Sequence, residues 1–239
     1  MKNLIRHIPN ALTTGNLLSG VYGIILVMQG NITAGTVMIW VGALFDFADG
    51  FAARILKANS DIGKELDSLA DMVTFGTLPA LVMFALLKDQ LPLQYSFLAF
   101  SALLTPAFSA LRLAKFNIDP EQKENFRGLP TPANAFLLSG IPFLIGSRFL
   151  HDNGLLVLEL LIILFGSLLM VSNIRFPSLK FKTYRPAKNV ARYMIIFSSI
   201  VLLISFRLKG ITPVMFTYVL ISLINNINSS RTPGKAEEK

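Results

Sequence analysis

The chain has 239 residues, of which 53% are hydrophobic and only 15% charged, against roughly a quarter in ordinary soluble domains. That balance excludes a soluble globular protein, and apolar runs of about 20 residues, each long enough to cross a bilayer, make this a polytopic helical membrane protein. The 22 basic residues outnumber the 14 acidic ones, while the absence of cysteine excludes a disulfide framework, a thiolate metal site and a cysteine nucleophile.

Taken in order, eight spans are expected, near residues 10–28, 32–57, 63–87, 94–116, 131–149, 154–174, 190–207 and 211–227. They form an all-α bundle, a single domain over residues 1–228, with a short cytoplasmic tail at 229–239. The basic start carries no small-residue cleavage site, so a cleavable signal peptide is not expected. The first span holds Asn10, Thr13, Thr14 and Asn16 near its start and Gly15, Gly20 and Gly23 along it. These residues fit helix capping and small-residue packing, and Thr13 and Asn16 equally fit the wall of a ligand pocket.

The stretch from Asp46 to Asp71 is the most informative. Asp46 and Asp49 are three residues apart and Asp67 and Asp71 four apart, so each pair shares one face of its helix. Lys57 to Lys64, with Asn59, Ser60 and Gly63, reads as the turn between the two helices. Counted from the middle of that turn, Asp49 and Asp71 each lie about eleven residues away, roughly 16 Å along an antiparallel hairpin at 1.5 Å per residue. Four carboxylates gathered beside apolar helices need protons or cations to coexist. Ionisable groups at membrane depth are functional by default, which leaves a cation pathway or a metal-assisted site. Gly50 allows a ligand close to the helix backbone, and Arg54 one turn on is a natural phosphate partner. Acids for a divalent metal and an arginine for phosphate describe a pyrophosphate site.

Further along, Arg112 lies inside an apolar run and, with Lys115 and Arg127, forms a second basic cluster at the same membrane face. The most basic loop, 175–192, reads as attraction to lipid headgroups. His7 and His151 have no ligand-like neighbours in sequence. With the amino terminus in the cytoplasm, the eight spans place 18 of the 22 Lys and Arg residues on the cytoplasmic side, leaving Lys88, Arg148, Arg207 and Lys209 on the other. This asymmetry accounts for the basic charge without nucleic acid and opens the acidic site to the cytoplasm. The second span, about 26 residues or roughly 39 Å, brings the acids near the interface.

The pattern D-x2-D-G-x2-A-R-x8-G-x3-D-x3-D, met at every defined position from Asp46 to Asp71, resembles the motif of the CDP-alcohol phosphatidyltransferase family. Phe126 to Ala135 (FRGLPTPANA), Leu111 to Asn117 (LRLAKFN) and Pro9 to Gly20 resemble, more loosely, the phosphatidylserine synthases of that family. The resemblance implies transfer from CDP-diacylglycerol to an alcohol, L-serine first, with glycerol phosphate, inositol or inositol phosphate as alternatives. It implies two divalent ions, Mg²⁺ or Mn²⁺, on Asp46, Asp49, Asp67 and Asp71, with Asp71 as the catalytic base. Gly50, Ala53, Arg54, Ser60, Asp61 and Gly63, with Thr13 and Asn16, are then expected around CDP, and Arg112 and Arg127 around the serine carboxylate. A homodimer in the plasma membrane, in contact with membrane lipids, is also implied. A cation-coupled transporter is the reading of a different class.

Overall fold

The computed structural model describes residues 7–58, 60–119, 126–145, 153–176 and 189–231. Lys2, Arg6, Asn59, Lys123, Arg148, His151, Lys180, Lys182, Arg185, Lys188 and the tail from Thr232 lie outside these residues. Helix α1 spans Ile8–Met28 and α2 Ile32–Leu56. Helix α3 covers Asp61–Asp71 and continues through a wide π turn, Met72–Thr77, into α4, Leu78–Gln90. A 3₁₀ segment, Leu93–Leu103, leads into α5, Leu104–Ile118. Then follow β1 (Phe126–Arg127), α6 (Thr131–Ser139), α7 (Ile141–Ile145), α8 (Asn153–Val171) and β2 (Arg175–Phe176). Helix α9, Val190–Phe206, and α10, Ile211–Arg231, close the described chain.

The fold is all-α apart from the two-residue strands. Among the described residues six segments are long and apolar enough to cross a membrane: Ile8–Met28, Ile32–Leu56, Asp61–Gln90, Leu93–Ile118, Gly154–Val171 and Val190–Ile227. This is an integral membrane protein. Seven of the eight expected spans fall on these six segments, the last of which holds two of them, and the eighth, 131–149, falls on a shorter helical stretch. Thr131–Ile145 is apolar but shorter. It bends at Gly140, where Thr212 of α10 packs against the backbone and donates its hydroxyl to the Leu137 carbonyl at 2.8 Å. Pro142 removes a helical donor at the same place. The last segment is divided at Arg207, whose φ of 52° turns the chain and brings Gly210 against the backbone of Leu202 and Leu203.

The segment Asp61–Gln90 is the centre of the bundle, with 61% of its apolar window buried against 11% for Val190–Ile227. Phe75, Leu78 and Val82 pack with Ile39 of α2 and Ala135 of α6, while Met83 and Leu87 pack with Leu138 and Ile163. The outer faces carry exposed Leu44, Phe47, Phe51 and Phe197, as a lipid-facing surface requires. Lipid tails provide no hydrophobic drive between helices, so association rests on close backbone packing and polar contacts. At the end of α4 remote from the acids, Gln90 donates to both carboxyl oxygens of the buried Glu159 on α8, at 3.2 and 3.3 Å.

The π turn follows from the sequence. Pro79 cannot donate to the Phe75 carbonyl, and its ring crowds that oxygen. The helix widens, and Thr77 donates its hydroxyl to Met72 at 3.1 Å. The turn sets Thr74 against α1, where its hydroxyl donates to the Asn16 carbonyl at 2.9 Å. Gly20 makes this approach possible, because a Cβ there would lie 2.4 Å from the Thr74 hydroxyl oxygen.

Candidate active site

Both α2 and α3 pack mainly on α1 and little on one another. A cleft opens between them, and the acids face each other across it. Helix α2 ends at Leu56 with Lys57 in the left-handed region at φ 49°. Helix α3 begins under a Ser60 cap, whose hydroxyl accepts from the Gly63 N–H at 3.0 Å. The expected turn between two acid-bearing helices is therefore present.

Asp46, Asp49 and Asp67 each direct a carboxyl oxygen to a common point, with these oxygens within 4.8 Å of one another. Opposed ligands about 2.1 Å from a Mg²⁺ stand about 4.2 Å apart, so a small cation fits with slight closure. Asp49 Oδ2 and Asp67 Oδ1 are buried and have no hydrogen-bond partner among the described residues. Three acids with two unsatisfied buried oxygens suit a divalent cation, and their all-oxygen chemistry suits a hard one. Of the four expected acids, Asp46, Asp49 and Asp67 form this cluster.

Asp71 stands apart from this triad, one turn deeper. It is 8% exposed and accepts a hydrogen bond from Asn16 Nδ2 at 3.3 Å. It also interacts electrostatically with Asp46, Asp67 and Arg112.

A cavity of about 440 Å³ opens beside the triad, walled by Asp49, Gly50, Ala53, Ser60, Asp61, Gly63 and Asp67, with Thr13 from α1. These eight residues were all expected from sequence at the metal or the nucleotide. Of the residues expected around the nucleotide, two do not line this cavity. Arg54 folds back along α2 and donates its Nε to the Gly50 carbonyl at 2.8 Å, on the exposed side of the helix. Asn16 is fully buried and directed at Asp71.

Sequence reasoning did not single out Lys64 and Asn117 as working residues. Lys64, on the cavity wall, donates its Nζ to the Asn117 carbonyl at 3.0 Å, and the Asn117 amide donates to Ser68 at 2.9 Å. These contacts clamp the end of α5 to the acid-bearing helix. Their signal was the position of Asn117 within LRLAKFN, but the partner was 49 residues away in sequence.

Arg112 is 7% exposed and donates to the Thr131 hydroxyl at 3.1 Å, with its guanidinium 5.5 Å from the Phe116 ring centroid. Its Nε has no hydrogen-bond partner among the described residues. Arg112 also lines a second cavity of about 240 Å³ with Lys115 and Arg127. The expected pair Arg112 and Arg127 thus shares one cavity, and Arg112 also interacts electrostatically with Asp71. The wall is completed from the end of α8. Strands β1 and β2 pair Phe126 with Phe176 and Arg127 with Arg175. Gly128, at φ 81°, lets the chain pass so near α8 that a Cβ would lie 2.2 Å from the Met170 carbonyl oxygen.

A membrane bundle with an acid triad beside a cleft, and a basic cavity next to it, defines a class suited to moving a phosphorylated group between a lipid and a polar molecule. The chain matches the CDP-alcohol phosphatidyltransferase family over residues 6–171, and it belongs to that family. Curated relatives carry the name CDP-diacylglycerol–serine O-phosphatidyltransferase. One from Bacillus subtilis is 37% identical over 177 residues, covering 74% of this chain and 93% of the relative. One from Methanocaldococcus jannaschii is 36% identical, covering 71% and 73%. One from Helicobacter pylori is 29% identical over 223 residues, covering 90% and 89%. The chain is an enzyme of phospholipid biosynthesis, and membership in a transferase family sets the transporter reading aside.

Proposed function

We propose that the enzyme transfers the phosphatidyl group of CDP-diacylglycerol to L-serine, giving phosphatidylserine and CMP. The observation that carries this reading is a pair of cavities of opposite character, with Asp71 interacting electrostatically both with the acids Asp46 and Asp67 and with Arg112 of the second cavity. One is lined by acids and small residues and suits a nucleotide pyrophosphate. The other carries three cations and suits the carboxylate of the acceptor. The names of the relatives support serine.

Mg²⁺ or Mn²⁺, two ions in this proposal, would be held by Asp46, Asp49 and Asp67 with Asp71, and when bound would neutralise charge on the pyrophosphate. Gly50 and Ala53 present a low surface on α2 for the nucleotide. Thr13, Ser60, Asp61 and Gly63 close around it, and Arg54 swings from the Gly50 carbonyl to a phosphate. Arg112 and Arg127 hold the serine carboxylate, which brings the hydroxyl toward Asp71. Asp71 takes the hydroxyl proton as the serine oxygen bonds to phosphorus and the bond to CMP breaks. Asn16 holds the Asp71 carboxylate in place. The acyl chains lie among helices open to lipid.

In this reading eight crossings put the amino terminus, the tail and the site on the cytoplasmic side of the plasma membrane, in one domain that works as a homodimer. The distribution of Lys and Arg supports that orientation. The three cations of the second cavity also suit a phosphorylated alcohol, which makes glycerol phosphate or inositol phosphate the second reading for the acceptor.

The test is a labelled-serine assay on purified protein with CDP-diacylglycerol and Mn²⁺ or Mg²⁺, beside Asp71→Asn. Label entering lipid with the wild type and not with Asp71→Asn is expected. CMP release only with a phosphorylated alcohol would overturn serine and keep the family chemistry.

A further inference from the structure

Among the described residues, one acid lines the basic cavity. Asp119 lines it together with Arg112, Lys115, Arg127 and the polar pair Ser172 and Asn173. A cavity built only to hold an anion gains nothing from a carboxylate, which would repel a phosphate monoester held by the same cations. A zwitterion has a use for both signs.

Two further features point to a cation at this wall. Asp119 caps the carboxyl end of α5, its N–H bonded to the Lys115 carbonyl at 3.1 Å. Met170 and Val171 are the last residues of α8, and Ser172 and Asn173 follow it. Helix carboxyl ends carry partial negative charge and outward carbonyls, and they favour an ammonium. Two such ends line this cavity, one of them capped by Asp119.

We propose that Asp119 binds the α-ammonium of an amino-acid acceptor while Arg112 and Arg127 bind its carboxylate, so that the cavity reads a zwitterion. The inference rests on the reading above that the acceptor enters this cavity. It makes Asp119 a specificity residue. An acceptor lacking the amino group loses its contact with Asp119, and a phosphorylated one meets a like charge.

The experiment compares L-serine with β-hydroxypropionate, which keeps the hydroxyl and carboxylate and lacks the ammonium. Wild type, Asp119→Asn and Asp119→Glu are assayed as full-length purified protein with CDP-diacylglycerol and Mn²⁺. Wild type is expected to prefer serine by at least tenfold. Asp119→Asn should raise the serine KM about 10- to 100-fold, leave the hydroxy acid unchanged and leave the KM for CDP-diacylglycerol unmoved. Asp119→Glu should recover part of the preference. Stabilisation by CDP reports folding in each variant, and if Asp119→Asn lacks it the comparison is carried by Asp119→Glu. An equal loss for both acceptors, or a change confined to the KM for CDP-diacylglycerol, overturns the role of Asp119 and leaves serine as the acceptor. A wild type that uses neither acceptor but accepts a phosphorylated alcohol overturns the serine reading and this inference with it.

Discussion

Replacing Asn16 by alanine isolates the support of the candidate base. Asn16 is 0% exposed, and its Nδ2 is the donor to Asp71 Oδ1 at 3.3 Å. A hydrogen bond to a charged group contributes about 1.5–3 kcal/mol. At 3.3 Å this bond is longer than the usual 2.9–3.0 Å, so the lower end applies, about 1.5 kcal/mol, or roughly tenfold in kcat/KM. The assay is the initial rate of serine incorporation into lipid, with thermal unfolding in saturating CDP as the control for folding. A purely structural loss would lower the rate whatever residue stands at 71. Action through Asp71 predicts instead that Asn16→Ala with Asp71→Asn is no slower than Asp71→Asn alone. Full activity of Asn16→Ala, or losses that multiply in the double variant, would refute the reasoning.

Two other outcomes are expected. Asp67→Asn removes one of three converging oxygens, so activity should fall about 10³-fold, matching several kcal/mol of charge stabilisation, and the Mn²⁺ concentration for half-maximal rate should rise. An unchanged metal titration curve would count against the triad. Gly128→Ala places a Cβ against the Met170 carbonyl at a positive φ, costing at least about 1–3 kcal/mol. A lower Tm and weaker serine use are expected, with CDP stabilisation kept, and an unchanged Tm would contradict the close approach of β1 to α8.

The membrane-protein class followed from composition and run length alone, because the bilayer sets the length of an apolar helix. The helical turn at 57–64 and the shared faces of the acid pairs were legible because they depend on local backbone geometry and a period of 3.6 residues. The set Gly50, Ala53, Ser60, Asp61 and Gly63, expected from the resemblance to the family motif, does gather at one cavity. Three things were decided only by the tertiary structure. The first is that Asp46, Asp49 and Asp67 converge while Asp71 stands apart. Asp71, one turn further along α3, is instead held by Asn16 of α1. The second is the direction of Asn16, fixed by the π turn that docks Thr74 on α1 and beyond the reach of helical periodicity. The third is the union of Arg112, Asp119, Arg127 and the end of α8 in one cavity, which brings together chain segments that only the packed bundle and the β1–β2 pairing make neighbours. Local spacing gives the order of groups along one helix or hairpin. Distances between helices depend on small residues and buried polar contacts far apart in the chain, and those are fixed only when the bundle is packed.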